Sequence, residues 1–535
     1  MSNAGNASVD GPLGFVVGEA YPYKFTFIAK RAISVGEYVV VDANSRRILG
    51  MVEHSSIRSS IMDGVTNYHA AYEGKAIAER NVRDKSYLAL VRVLGYTDEL
   101  INGKVTLPSL PPEPGSMVFE ASRDELKVFS LYGLPWIRIG SLLRNASVDV
   151  SVNLDRLASR HLAILSVTGG GKSNLLALIA KRIAELNGTM IIFDYHGEYT
   201  DIEMSNVEVM DAKINPRYID EAERLADLLE VREYATVQRE VLGKALTDDV
   251  KSSTDFWAAL KANIDALKDM EEQKGSKKNV QIIKACDRLQ GIIDSAVRRL
   301  GSLLDTSQRR PLDMLRPNKV NILNMIEFTE KQANIAIAYY LEEILEDRKR
   351  AERLRSGRGV EVRSSISSNS GSGSMDSTNV KFDTPVICAI EEAHVFLPNN
   401  KDTDAKYIAS KIAREGRKFG VSLIIVSQRP RRLDQDVLSQ MGSLAILRLT
   451  NPDDQRYINE ASEVLSKELL EYLPSLNVGE AILVGQWVNV PSIVKIEEVR
   501  EKRVGGDISA VEQWRSSKRH SKIAKERTED LIAID

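Results

Sequence analysis

The 535-residue chain has only two cysteines, Cys286 and Cys388, each inside an apolar segment and neither in a CxxC or Cys/His spacing. That scarcity excludes a disulfide scaffold and a cysteine-based zinc site, and both residues read as core thiols kept in a reducing compartment. No stretch approaches the ~18 consecutive apolar residues that a membrane span needs, and the opening MSNAGNASVDG lacks the basic and apolar regions of a signal peptide. A cytoplasmic protein without a membrane partner is expected. An excess of one charge is missing too, since the net is −3. A polyanionic partner would therefore have to be met by a local basic surface, such as the lining of a channel. A hydrophobic content of 43% supports sizeable cores, and the length calls for two to four of them.

Against this ordinary background one segment stands out. SVTGGGKS at residues 166–173 lies between the apolar run HLAIL and an amphipathic stretch with helical spacing. A triphosphate is held by converging backbone N–H groups, a helix N-terminus and a lysine that reaches its outer oxygens. Thr168, Gly169, Gly170 and Gly171 supply the close backbone approach, Lys172 the cation, and Ser173 a hydroxyl placed to hold Mg2+. The usual pattern begins with glycine, and here Ser166 stands in that place. A second buried strand, MIIF at 190–193, ends in DYHGEY. This βαβ rhythm marks a parallel sheet, whose ligands sit beyond the carboxyl ends of the strands. Asp194, His196 and Glu198 then either share the rim with the phosphate loop, or Asp194 caps a turn and Glu198 is solvated.

TPVICAIEEAH at 384–394 is a third buried strand, ending in two carboxylates. Nucleotide hydrolysis needs an acid near Mg2+ and a group that orients and deprotonates water, so Glu391 is assigned to the metal shell and Glu392 to the water. His394 has no third ligand after it, and a zinc site is discounted. A fourth strand, VSLIIV at 421–426, ends in SQRP, which puts Gln428 where a sensor of the terminal phosphate would sit. The basic amphipathic stretch before it, DAKYIASKIAREGRKFG, offers Arg414 and Arg417 as guanidiniums that could act on a neighbouring subunit's nucleotide.

The flanking regions have different textures. Residues 14–122 hold short β-branched and aromatic runs broken by Gly, Pro, Asp and Asn, the pattern of a small antiparallel β-barrel. Long helical stretches fill residues 216–316, and SSISSNSGSGSMDST at 364–378 is a low-complexity linker. A mixed-charge helical pattern with Trp514 closes the sequence.

The loop TGGGKSN, the tips FDYHGEY and IEEAH, the segment REGRKFGVSLIIVSQRP and the late GEAILVGQWVNVP resemble the archaeal HerA group of the HerA/FtsK superfamily of hexameric DNA-translocating ATPases. The resemblance implies an α/β fold in which a RecA-like P-loop ATPase core carries an N-terminal antiparallel β-barrel and an inserted helical bundle. It divides the chain into a barrel and connector at 1–145, the core at 146–215 and 317–498, with its linker at 363–380, the bundle at 216–316, and a C-terminal brace at 499–535. It further implies a homo-hexamer that burns ATP with Mg2+ around double-stranded DNA and acts with a NurA-type nuclease, and with Mre11–Rad50, in resecting DNA ends. By position, Lys172 and Ser173 match the family's phosphate loop, with Asn174 following it. Glu391 and Glu392 match its acidic tip, Gln428 its sensor and Arg417 its arginine finger; Arg160 corresponds to another basic residue near the nucleotide. Lys401, Lys406, Arg431 and Arg432 are candidates for DNA contact. The alternative is a nucleotide-gated ring that docks and activates a nuclease without processive movement.

Overall fold

The computed structural model describes residues 11–501 apart from 44–45, 81–83, 220, 274–278, 302, 308, 357–379 and 463–464. The Ser/Gly-rich stretch at 364–378, the basic run at 274–278 and the extension from 502 onward, Trp514 included, lie outside the described residues.

Six strands close an antiparallel barrel: β1 (Gly14–Tyr21), β2 (Lys24–Ala29), β3 (Tyr38–Ala43), β4 (Arg46–Ser59), β5 (Lys85–Tyr96) and β6 (Met117–Glu120), in the order β1-β2-β5-β4-β3-β6. Closure leaves no free edge, and the inward residues Phe25, Phe27, Val39, Val41, Val91 and Val118 fill the interior.

The second body is a sheet of 11 strands. Its members are β7 (Trp136–Leu142), β8 (Asn145–Asn153), β9 (Leu162–Leu165), β10 (Thr189–Asp194), β11 (Val207–Asp211), β12 (Val320–Asn324), β13 (Val386–Ile390), β14 (Val421–Ser427), β15 (Ser443–Ile446), β16 (Glu480–Gly485) and β17 (Ser492–Ile496). They lie in the order β11-β12-β10-β13-β14-β9-β15-β16-β17-β7-β8, parallel as far as β15 and antiparallel beyond it. The hairpin β7–β8 thus begins this sheet ahead of residue 146. Helices cover both faces of the parallel part, so β9, β10, β13 and β14 are buried along their whole length and read as continuous apolar runs. Edge strand β11 is only half-buried and carries Glu208 and Asp211.

The sheet is interrupted between β11 and β12 by helices Ala222–Leu228, Thr236–Ala245, Asp248–Ser252, Phe256–Gln273 and Asn279–Arg299. Its root is clasped: Asn215 Nδ2 donates to the carbonyls of Ser307 (2.6 Å) and Arg309 (3.0 Å), and the buried Arg217 donates to those of Thr306 (2.6 Å), Lys251 (2.8 Å) and Thr254 (3.0 Å). A long helix, Glu330–Arg355, then returns across the sheet under a capping box formed by Thr329 and Gln332.

Inside the sheet, the buried His161 accepts the Leu423 amide at Nδ1 (2.9 Å), and burial pushes its pKa down to about 4. Only the neutral ring can accept. Its contribution to stability is therefore complete above the ordinary value of 6.5 and is lost as pH falls toward 4. Unfolding followed at pH 7 and pH 4.5 should show a wild-type loss that exceeds that of His161→Gln by roughly 2 kcal/mol. Equal losses in both proteins would contradict a neutral, accepting His161.

Candidate nucleotide site

The loop after β9 turns through Gly169 (φ 72°) and Gly171 (φ 105°), positions that favour glycine. It delivers Lys172 to the first turn of the helix Lys172–Glu185. A Cβ on Gly170 would lie 1.9 Å from Ser166 Oγ. Ser166 is fully buried, and its hydroxyl, which faces the Arg448 carbonyl at 3.3 Å, occupies space that Gly170 leaves open. Serine at the first loop position is thus accommodated inside the loop. Lys172 is buried as well, its Nζ 3.3 Å from the Val167 carbonyl.

Parallel strands bring three more tips to the same rim. At the end of β13 the chain bends sharply through Glu392, which has φ 46° and ψ 41°. A side-chain-bearing residue in the left-handed region is strained, and the bend sends the two adjacent carboxylates different ways. Glu391 accepts a 2.6 Å hydrogen bond from the buried Tyr199 hydroxyl. Glu392 is bonded to Gln428 Nε2 and lies 3.2 Å from His394 Nδ1. Gln428, at the end of β14, in turn accepts from the Thr168 hydroxyl. One amide side chain therefore links the phosphate loop to the acidic tip. Asp194 caps its own turn, its carboxylate accepting the Glu198 (3.0 Å) and Tyr199 (2.9 Å) amides.

The electrostatics follow from burial. Glu391 is 3% exposed, and its pKa is pushed up to about 8 by burial and then by Glu198. Glu392 is raised as well, chiefly by burial, with Gln428 and Lys172 pulling the other way. His394 is pushed down to about 4 by burial and by Arg429 and Arg432, so it is neutral beside Glu392. Glu198 and Asp194 both act to keep Glu391 protonated, and a divalent ion bound at its carboxylate would hold it ionised. Ser173 and Glu391 are the residues that would face it.

Arg160 and Arg417 are not in this cluster. Arg417 lies in the turn Gly416–Phe419 that precedes β14, and Gln428 follows that seven-residue strand, a separation of about 20 Å. Arg160 ends the helix Leu154–Arg160 before β9. Both occupy the edge opposite the loop, where the helix and the turn pack together. Arg160 thus lies on the edge away from its own chain's phosphate loop.

The family model described as "Helicase HerA, central domain" matches residues 137–344, and that of the "HAS barrel domain" matches 13–99. The DNA double-strand break repair helicase HerA of Saccharolobus solfataricus is 35% identical over 523 residues, covering 96% of this chain and 97% of that protein. The chain belongs to the HerA family. The HerA of Pyrococcus furiosus is 32% identical, covering 95% of this chain and 97% of its own. Among solved structures, VirB4 of Thermoanaerobacter pseudethanolicus superposes with a TM-score of 0.45 at 14% identity, covering 70% of this chain and 99% of that one.

In this HerA-family chain, three of the residues singled out from sequence have side-chain partners of their own. The side chain of Asn174, a residue expected on the cofactor, holds the chain beyond β17: its Nδ2 donates to the Glu497 carbonyl (2.8 Å) and its Oδ1 accepts the Val499 amide (2.9 Å). Lys406, a candidate for DNA contact, is tied to Asp402 (2.8 Å) and Asp434 (3.5 Å), and Arg431 to Asp453 (3.1 Å). Lys401 and Arg432 line a cleft of about 1000 Å³ beside His394 and Arg429. Tyr199 was missed by sequence reasoning, although its place in FDYHGEY, five residues after Asp194, was a usable signal. Among the described residues no group of three or more His, Cys, Asp or Glu forms a ready metal cage, and no helix is long and apolar enough to cross a membrane.

The contact between Ser166 and Gly170 makes a direct prediction. Gly170→Ala should weaken binding of a fluorescent ATP analogue at least tenfold, while Ser166→Gly alone stays within about threefold of wild type. The double variant should recover part of the loss in a titration. Strict additivity would mean that the two residues do not share the space.

Proposed function

We propose that the chain is an ATP-dependent motor that moves or unwinds double-stranded DNA as a homo-hexameric ring, with ATP and Mg2+ at subunit interfaces. The coarse part of this reading, a DNA-repair helicase, is supported by relatives at 32–35% identity that are DNA double-strand break repair helicases. The single observation that carries the finer part is the split of the site. Lys172, Glu392 and Gln428 share one rim, and Arg417 is exposed on the opposite edge with no side-chain partner among the described residues. One chain cannot bring them together, whereas neighbours stacked rim to edge in a ring can.

In this mechanism Lys172 and the loop amides bind and orient the triphosphate, and Ser173 and Glu391 would hold Mg2+, which neutralises charge on the phosphates. Glu392, held between Gln428 and neutral His394, orients the attacking water and takes its proton. Gln428 reports the terminal phosphate to Thr168 and Glu392 together. Arg417 of the next subunit stabilises the charge that develops on the transferred group. Lys401 and Arg432 contact the DNA backbone, which predicts sequence-independent, salt-sensitive binding. A NurA-type nuclease, and Mre11–Rad50, are the partners that the family suggests for DNA-end resection.

Triplex displacement with purified protein tests the motor. Wild type should release the third strand with ATP, and Lys172→Ala and Arg417→Ala should lose it. For Arg417→Ala, turnover should fall by about 10³-fold or more with nucleotide affinity retained. DNA-stimulated ATP turnover without displacement, with or without a nuclease, would replace the motor with a nucleotide-gated ring that activates its partner.

A further inference from the structure

Arg348 is fully buried in the long helix Glu330–Arg355, on the opposite side of the protein from the phosphate loop. Its fork reaches three places: Nε donates to the Phe419 carbonyl (2.9 Å), Nη1 to the Phe382 carbonyl (3.0 Å), and Nη2 to the Glu352 carboxylate (2.7 Å). Phe419 closes the turn Gly416–Phe419 that carries Arg417. The neighbouring Asp347, also buried, accepts the Lys381 (3.1 Å) and Phe382 (2.8 Å) amides, so the strut is anchored to the segment that leads into β13. Lys349, one residue on, places its ammonium 5.5 Å from the centre of the Phe419 ring.

The turn leaves little room to move. A Cβ on Gly416 would lie 2.5 Å from the Val421 carbonyl oxygen. Gly420 has φ 67°, and a Cβ there would meet Arg348 Nη2 at 3.2 Å. The other end of the same helix is attached to the acidic tip. Asn334 Nδ2 donates to the Phe396 carbonyl (3.3 Å) in the short helix Ala393–Phe396 that follows Glu392, and Asn334 Oδ1 accepts the Ala405 amide (3.4 Å). The helix Asp404–Glu415, beginning at that point, packs along the long helix and runs directly into the turn.

We propose that Arg348 is a positioning residue for Arg417, fixing the Gly416–Phe419 turn so that the guanidinium projects into the next subunit's site. The long helix thereby connects a chain's own acidic tip to the arginine that serves its neighbour. A buried guanidinium is costly unless every donor is used, and an apolar residue of similar size would pack the same space. Holding two carbonyls from separate segments at fixed geometry is something only the planar fork can do. This inference rests on the reading that Arg417 acts across a subunit interface.

The test uses full-length rings assembled from mixed subunits. Arg348→Lys rings should bind nucleotide with wild-type affinity while kcat falls roughly 10–100-fold, a part of the ~10³–10⁵ that an arginine finger supplies. Mixed with Lys172→Ala subunits, whose own Arg417 is intact, Arg348→Lys subunits should regain turnover, because their good loops then face good arginines. Mixing Arg417→Ala with Lys172→Ala subunits is the control. If the control fails to recover turnover, the cross-interface reading is wrong and this proposal falls with it. If the control recovers and the Arg348→Lys mixture does not, or if Arg348→Lys weakens nucleotide binding, Arg348 acts on its own site and the assignment to Arg417 is overturned. Should Arg348→Lys fail to assemble, Gly420→Ala, which crowds the same guanidinium, is carried through the same mixtures against the same outcomes.

Discussion

The direction of the parallel strands is the constraint from which the rest of the site follows. Strands β9, β10, β13 and β14 all run the same way, so their carboxyl ends share one rim and their starts share the opposite edge. No long side chains are needed to gather Thr168, Lys172, Glu391, Glu392 and Gln428; each stands at or just past the end of a buried strand. The same geometry sends Arg160 and Arg417 to the far edge. The separation of Arg417 from the rim residues within one chain is therefore a property of sheet polarity and not of loop conformation. Small adjustments of the loops could not close a gap set by the length of β14.

On the rim itself, charge is managed by a few specific contacts. Glu392 would be an isolated buried carboxylate were it not paired with the Gln428 amide and set beside a histidine kept neutral by burial. Glu391 is in a harsher place, buried beneath Tyr199 and next to Glu198, and its pKa is pushed up to about 8. The two adjacent glutamates thus differ through the left-handed bend at Glu392, which gives them separate surroundings. Two carboxyl groups set apart by environment can take separate roles in one reaction.

What could be read from sequence was what is local. The phosphate loop, the strand tips and the alternating runs of the barrel depend on residues close together in the chain, and apolar runs such as HLAIL announce strands buried on both faces. Ser166 was legible as a departure, but its partner Gly170 was visible only once the loop was folded. Asn174 and Lys406 carry the right chemistry at the right spacing, yet their side chains are engaged by Glu497, Val499, Asp402 and Asp434, none of which spacing alone could supply. Arg348 was silent for the converse reason, whereas Tyr199 left only its place in FDYHGEY as a signal. Nothing in a one-dimensional pattern separates an arginine bonded to two distant carbonyls from ordinary core and surface residues.

Those buried arginines also bear on how the fold carries its interruptions. The chain leaves the sheet between β11 and β12 for a helical insertion, and between β12 and β13 for the long helix and the stretch after it. The entropy of closing such excursions grows only slowly with their length, so their size costs the core little provided their roots stay fixed. Arg217 fixes the first root through the carbonyls of Lys251, Thr254 and Thr306, and Arg348 fixes the second through those of Phe382 and Phe419. A planar fork bonded to several carbonyls resists shear in more than one direction, which apolar packing at the same place does not. Pinning at the roots lets the segments beyond them differ in length while the strands that deliver Glu391, Glu392 and Gln428 keep their register.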